Sequence, residues 1–209
     1  NCGAGIILNS IKNKAKLTAG LDNIIYKKYV ESKGSYFFTN VKEIIKKKIK
    51  FDYIIYTGSY KYLPNKDAID YLVDILMPKL IKKFPNLKLV LTGGGYEKKK
   101  NYIINYGIVS KPRLLNLIYN SKLMVLPIDK GTGTRVKIIE AMLIGAKILT
   151  TKKGIEGILF KRKKSLIVMK KEFFYKCIIK NLKYDVKENK LGQLYNNYSM
   201  EKIVNDFFR

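Results

Sequence analysis

Short apolar runs recur from residue 52 onward, and each one stops at a turn or a glycine-rich loop. The clearest runs and their loops are residues 53–57 before Gly58, residues 87–91 before Gly93-Gly94-Gly95, and residues 123–127 before residues 130–134. Strands that are apolar along their whole length are typical of a parallel sheet covered on both faces. Segments with helical spacing separate them. The sequence therefore predicts an α/β fold with a doubly wound, Rossmann-like parallel sheet.

The remaining elements follow from the same spacing. Apolar residues recur every three or four positions between Ile69 and Leu80, which predicts an amphipathic helix beginning at Asp67. Pro78 should kink or split this helix, because proline lacks the N–H that the helix uses. Further helices are predicted at 112–121, 135–144 and 173–209, and further strands at 103–109, 147–151 and 166–169.

The strand pattern begins only near residue 49. Residues 1–48 contain short apolar pieces between Lys, Asn and Gly, and the chain does not begin with Met. We therefore expect a fragment of a longer protein, with a Rossmann-like domain over residues 49–186 and a C-terminal helix over residues 187–209.

The chain is strongly basic, with 42 Lys and Arg against 16 Asp and Glu and a formal charge of +26. Such a charge attracts nucleic acid phosphates or anionic lipid headgroups. Nearly all of it is Lys, however, accompanied by an excess of Ile, Asn and Tyr, which is the bias of an AT-rich genome. We rank ordinary solvated charge first, attraction to an anionic membrane second and nucleic acid last.

The absence of histidine narrows the chemistry further. Ser-His-Asp triads and His-ligated metals are excluded, so catalysis must use carboxylates, Lys, Arg, hydroxyls or backbone groups. Cys2 and Cys177 form neither a metal motif nor a disulfide framework, which favours a reducing, cytoplasmic setting.

Glu140 is the carboxylate whose surroundings are least ordinary, since its neighbours in the predicted helix are almost all apolar. Loop amides, Arg135 and Lys137 suit the phosphates of a ligand, while Glu140 suits ribose hydroxyls. The alternative is an ordinary helix ion pair between Lys137 and Glu140 beside a Thr cap at Thr132 or Thr134. The residues alone leave both interpretations open. At Gly58-Ser59 and at Gly93-Gly94-Gly95, a simple turn is the better interpretation. The loop that holds Glu156 between two glycines is either a turn or a segment whose amides approach a phosphate or sugar.

The order of these pieces resembles the C-terminal, donor-binding domain of family 4 glycosyltransferases of the two-Rossmann-domain (GT-B) type. The matching pieces are Tyr56-Thr57-Gly58-Ser59, Pro64-Asn65, Pro85-Asn86-Leu87, Thr92-Gly93-Gly94-Gly95, Gly107-Ile108-Val109, Gly133-Thr134-Arg135-Val136-Lys137-Ile138-Ile139-Glu140-Ala141 and Gly154-Ile155-Glu156-Gly157. They cover roughly residues 50–160. Residues 1–48 then correspond to a remnant of the N-terminal domain and a linker.

The resemblance implies a role for each matching residue. Glu140 holds the ribose of the nucleotide, and Arg135 and Lys137 are the catalytic basic residues near the donor pyrophosphate. The position of the family's other motif glutamate is Thr132 here, which leaves the donor sugar open. The expected donor-binding residues are Gly58, Ser59, Gly94, Thr132, Gly133, Thr134, Glu140 and Glu156.

The implied activity is transfer of a sugar, with retention, from a nucleotide-diphosphate donor to a glycan or lipid-linked acceptor. No metal or other cofactor is expected, and the product class is a cell-envelope polysaccharide or glycolipid. The expected partners are the missing N-terminal domain and, peripherally, an anionic membrane at its inner face, with no nucleic acid. Two alternatives stay open: a GT-B epimerase acting on nucleotide sugars, and a non-enzymatic basic module that binds anionic lipid or nucleic acid.

Overall fold

The sheet is parallel throughout. A computed structural model describes residues 49–132, 135–156, 158 and 165–183. Six strands pair in the order β3-β2-β1-β4-β5-β6. They are Tyr53–Thr57 (β1), Lys88–Thr92 (β2), Ile103–Asn105 (β3), Leu123–Leu126 (β4), Ile148–Thr150 (β5) and Leu166–Val168 (β6). The predicted doubly wound α/β fold is confirmed.

The apolar runs become the inner strands because both faces of the sheet are covered. All five residues of β1 and all four of β4 are buried. Tyr53 and Tyr56 are fully buried among them. The Tyr53 hydroxyl donates to the Leu117 carbonyl at 2.7 Å, so this polar group is satisfied inside the core.

Helices flank the sheet on the described part of the chain. They are Leu63–Asp70 (α1), Met77–Ile81 (α2), Lys111–Asn120 (α3), Val136–Leu143 (α4) and Phe174–Lys183 (α5). Helix α1 begins at Leu63, so the predicted start at Asp67 is wrong. Pro64 lies in the first turn, where a missing N–H costs nothing. Pro64 therefore belongs to the start of the helix and not to the loop before it.

The long helical segment is split as predicted, but the break lies before Pro78 and takes the form of a π-helical stretch. Between α1 and α2 the chain forms a π-helical stretch at Tyr71–Leu76, and Pro78 lies in the first turn of α2. A π-helical stretch changes the hydrogen-bond spacing ahead of the proline, whose nitrogen cannot donate. The apolar face stays continuous, with Leu72, Leu76 and Leu80 all buried.

The third strand is shorter than predicted. It ends at Asn105 instead of continuing to residue 109. The Asn105 side chain accepts a hydrogen bond from the Gly107 N–H, and Gly107 has a φ of +60°. That turn is incompatible with an extended strand. The helix predicted at 112–121 begins one residue earlier and the helix predicted at 135–144 is Val136–Leu143.

Several predictions concern residues outside the described ranges, including residues 1–48, the loop at 133–134 and the final helix. The domain boundaries at 49, 186 and 187 remain predictions. Within the described residues, no helix is both long and apolar enough to cross a membrane.

The strand order reverses direction between β1 and β4, which are neighbours in the sheet although two strands separate them in sequence. In doubly wound sheets, such a reversal opens a crevice at the carboxyl ends of the two strands, and ligands bind there. The carboxyl ends here are Thr57 and Leu126.

Gly93 tests how tightly the loops at this edge are packed. A Cβ at Gly93 would lie 2.4 Å from the Gly58 carbonyl carbon, whereas one at Gly107 would meet nothing within 4 Å. Both glycines have positive φ. We expect Gly107→Ala to lower the free energy of unfolding by about 1–2 kcal/mol, the cost of the left-handed backbone alone. Gly93→Ala should cost roughly 1–3 kcal/mol more, the range for overpacking. Urea unfolding of both variants measures this, and equal losses would contradict the packing described.

Candidate functional site: a cleft at the switch point

A cleft of about 400 Å³ opens between the ends of β1 and β4. Its walls come from the segments after β1, β2, β3 and β4, from α1 and α3, and from the start of α4. The lining residues are Thr57, Gly58, Tyr62, Pro64, Asn65, Thr92, Gly93, Ile108, Val109, Leu114, Ile128, Arg135 and Lys137. The cleft therefore lies where the topology alone predicts a ligand site.

Lys137 brings a cation to this cleft. Its ammonium donates to the Thr57 carbonyl at 2.6 Å and to Asn65 Oδ1 at 3.2 Å. It also lies 4.7 Å from the centroid of the Tyr56 ring, within the range of a cation–π contact. Burial, and to a smaller extent the charge of Arg135, lower the pKa of Lys137 to about 7. A neighbouring anion would reverse this effect, because an opposite charge favours the protonated form.

Arg135 lies at the N-cap position of α4 and makes no capping bond with its side chain. Its guanidinium donates to the Thr132 carbonyl at 2.6 Å and to the Lys130 carbonyl at 3.2 Å. Arg135 thus bonds back to the preceding loop while still lining the cleft. Arg135 and Lys137, both expected near a pyrophosphate, are brought together there.

Glu140 has a different environment from the one expected. Its side chain is 12% exposed and forms an ion pair with Lys111, the first residue of α3. Lys137 bonds to β1 and α1 instead. The alternative of a Lys137–Glu140 helix ion pair is therefore wrong, because the two side chains take different partners.

The other predicted residues divide between the cleft and its surroundings. Gly58 lines the cleft, and the Ser59 carbonyl accepts a hydrogen bond from Asn65. Gly94 lies in the loop after β2, where a Cβ would be 3.2 Å from Ile108. Thr132 is exposed next to the cleft, and Gly133 and Thr134 lie outside the described residues. Glu156 pairs with Lys153 at 2.6 Å, away from the cleft lining.

Sequence reasoning assigned no role to Asn65 or Lys111. Asn65 was visible in the Pro64-Asn65 motif, but its contact with Lys137 joins positions 72 residues apart. The Glu140–Lys111 pair joins two helices. Neither contact has a local signal in the sequence. Across the residues that the structure describes, no group of three or more Cys, Asp or Glu is arranged to hold a metal ion.

The family comparison identifies the chain. The sequence profile described as "Glycosyl transferases group 1" matches residues 52–183, so the chain belongs to that family. None of the curated proteins compared with the chain matches it.

Solved structures agree on the fold. The GtfA/B complex has a TM-score of 0.53 and 16% identity, with 77% of this chain and 36% of that chain covered. HepE (Alr3699) of Anabaena, in complex with UDP and glucose, gives 0.53 and 12%, with coverage of 80% and 50%. The C-terminal domain of the group 1 glycosyl transferase LpcC from Francisella tularensis gives 0.51 and 14%, covering 78% and 85%.

At these identities the likeness shows the fold alone. The chain spans half or less of the length of GtfA/B and HepE, but most of the length of the isolated LpcC domain. Its fold matches that of the isolated C-terminal LpcC domain.

The lowered pKa of Lys137 predicts a specific pH dependence of stability. Between pH 7 and 10.5 the folded chain has released this proton while the unfolded chain keeps it, so stability rises with pH. Lys137→Met removes this contribution. The difference in free energy of unfolding, wild type minus variant, should increase by up to about 1.4 kcal/mol per pH unit in that window.

Urea unfolding at several pH values between 6 and 10 measures this difference. Lys79→Met is the matched control, since Lys79 is exposed on α2. A flat difference for Lys137→Met, like that of the control, would show that the ammonium is not buried as described.

Proposed function

We propose that this chain is the donor-binding half of a retaining family 4 glycosyltransferase, which transfers a sugar from a nucleotide-diphosphate donor to a glycan or lipid-linked acceptor. The observation that carries the proposal is the Lys137 ammonium in the cleft between β1 and β4. Among the described residues no carboxylate pairs with this half-buried cation, which is costly, and a bound anion would offset that cost.

The donor diphosphate fits this cleft for three reasons. Lys137 and Arg135 supply positive charge at its wall. Helix α4 begins beside the cleft, which Arg135 and Lys137 line, and the first amides of a helix favour a phosphate. Gly58 and Gly93 have no side chain to block the approach of a ligand to the backbone. HepE, a structural neighbour, was solved with UDP and with UDP-glucose, which is consistent with this class of donor.

Glu140 is the proposed partner of the ribose hydroxyls. A carboxylate accepts hydrogen bonds from two adjacent hydroxyls, and the ion pair with Lys111 holds it in place at the start of α3. The Lys111 side chain is 41% exposed, so the pair lies at the surface and not in the core. The pair would thus orient the carboxylate while leaving acceptor capacity for the sugar.

In the proposed reaction the bond between the sugar and the diphosphate breaks, the acceptor hydroxyl oxygen bonds to the sugar and its proton passes to the departing diphosphate, on which negative charge grows as the bond breaks. Arg135 and Lys137 would stabilise that charge, which is electrostatic catalysis by preorganised groups. These residues supply the charge that a metal ion supplies elsewhere, so we propose that none is required. The acceptor would bind to a further domain, at the cytoplasmic face of an anionic membrane.

Nucleotide binding tests the proposed site. UDP and GDP serve as probes in isothermal titration calorimetry, with the tighter one used for variants. Arg135→Ala and Lys137→Met should each weaken binding by roughly tenfold or more, since charge-assisted hydrogen bonds contribute about 1.5–3 kcal/mol. Lys79→Ala removes the same charge away from the cleft and should change affinity less than twofold. Equal salt-dependent losses in all three variants would instead favour a basic binding module.

Glu140 gives a separate test of the ribose contact. Glu140→Gln should weaken UDP binding by about tenfold, because it removes a charged acceptor of hydrogen bonds. The same substitution should have little effect on binding of inorganic pyrophosphate, which has no ribose. If both ligands lose affinity equally, Glu140 acts by supporting the cleft and does not contact the sugar.

A further inference from the structure

Asn65 has both of its polar ends engaged at the cleft. Its Oδ1 accepts from the Tyr56 hydroxyl at 2.8 Å and from the Lys137 ammonium at 3.2 Å, and its Nδ2 donates to the Ser59 carbonyl at 3.0 Å. A carbonyl can only accept, so the Ser59 carbonyl holds Nδ2 on its side and Oδ1 faces Tyr56 and Lys137. Asn65 thereby links β1, the loop after it and α4.

The amide is also held by packing. A Cβ at Gly58 would lie 2.7 Å from Asn65 Nδ2 and 2.9 Å from Cγ, so the amide lies directly against the backbone of the cleft loop. Tyr56 is fully buried, which fixes the position of its hydroxyl. The amide therefore presents its oxygen to Lys137 in one defined position.

We propose that Asn65 is a positioning residue: together with the Thr57 carbonyl, it holds the Lys137 ammonium where a ligand phosphate meets it. The proposal rests on the proposed function, because it assigns Lys137 to the donor diphosphate. Without Asn65 the ammonium keeps one of its two acceptors among the described residues, the Thr57 carbonyl, and the flexible four-carbon chain of lysine is free to take other positions.

The surroundings explain why an amide suits this position better than a carboxylate. Both acceptors of the Lys137 ammonium are neutral, and burial raises the pKa of Tyr56, so that this phenol also stays neutral. The charged group that bears on Lys137 is Arg135, while Glu140 pairs with Lys111. An aspartate at position 65 would neutralise the ammonium and oppose an anionic ligand. The neutral amide orients the Lys137 ammonium without neutralising its charge, which remains available to bind an anionic ligand.

A double-mutant cycle tests this role, with the dissociation constants of UDP and GDP measured by calorimetry on the full chain. Asn65→Leu, which keeps the volume and removes the acceptor, should weaken binding about tenfold, as for a lost hydrogen bond to a charged group. In a Lys137→Met background, the same substitution should change affinity less than twofold, because it acts through Lys137.

The number of protons taken up on binding gives a second readout, from titrations at pH 8 in buffers of different ionisation enthalpy. The unaltered chain should take up a large fraction of one proton, since the pKa of Lys137 is about 7 before the phosphate binds and rises afterwards. Asn65→Leu should change this number, which a purely structural role would leave constant. Asn181→Leu is the matched control: its amide bonds within α5, away from the cleft, and neither readout should change.

Equal losses from Asn65→Leu with and without Lys137 would overturn the positioning role, as would the absence of any loss. If Asn65→Leu does not fold, Asn65→Ala enters the same cycle with the same expectations. Absence of UDP and GDP binding by the unaltered chain would overturn the proposed function, and this proposal with it. Intact nucleotide binding with additive losses would overturn this proposal alone.

Discussion

The hydrogen bond from the Lys137 ammonium to the Thr57 carbonyl joins helix α4 to the end of the central strand β1. It lies where the strand order reverses and connects the helix after β4 to the end of β1. Removing a charge from water is expensive unless it is paired. Among the described residues the partners of Lys137 are a carbonyl, an amide oxygen and an aromatic face, none of them negative.

The loops around Lys137 allow this cleft to exist. Gly58 and Gly93 approach so closely that a side chain on Gly93 would enter the Gly58 backbone. The Gly58 N–H also donates to the Thr92 carbonyl, which continues the β1–β2 pairing beyond the strands. Backbone thus forms one wall and cationic side chains form another. The cleft residues all lie within the part of the chain that matches the glycosyl transferase family. Their positions follow from the packing described above.

Sequence alone predicts the sheet well, because a buried parallel strand needs a continuous apolar run and each inner strand here has such a run. Sequence also predicts the edge at which the cleft lies, because parallel strands place the loops that follow them at one edge of the sheet. The start of α1 was missed because Pro64 suits either a loop or a first helical turn. The partners of Lys137 and Glu140 could not be found from spacing. They lie on β1, α1 and α3, and only the packed sheet brings them within reach.

The most direct test of this account is the pKa of Lys137, measured by NMR from the shifts of its ε-methylene group with and without UDP or GDP. Lys137→Met assigns the signal. The account predicts a pKa near 7 in the free chain and a rise of at least about one unit with bound nucleotide, as expected for an ammonium beside a phosphate. A pKa near 10.5 in the free chain that nucleotide does not change would contradict it.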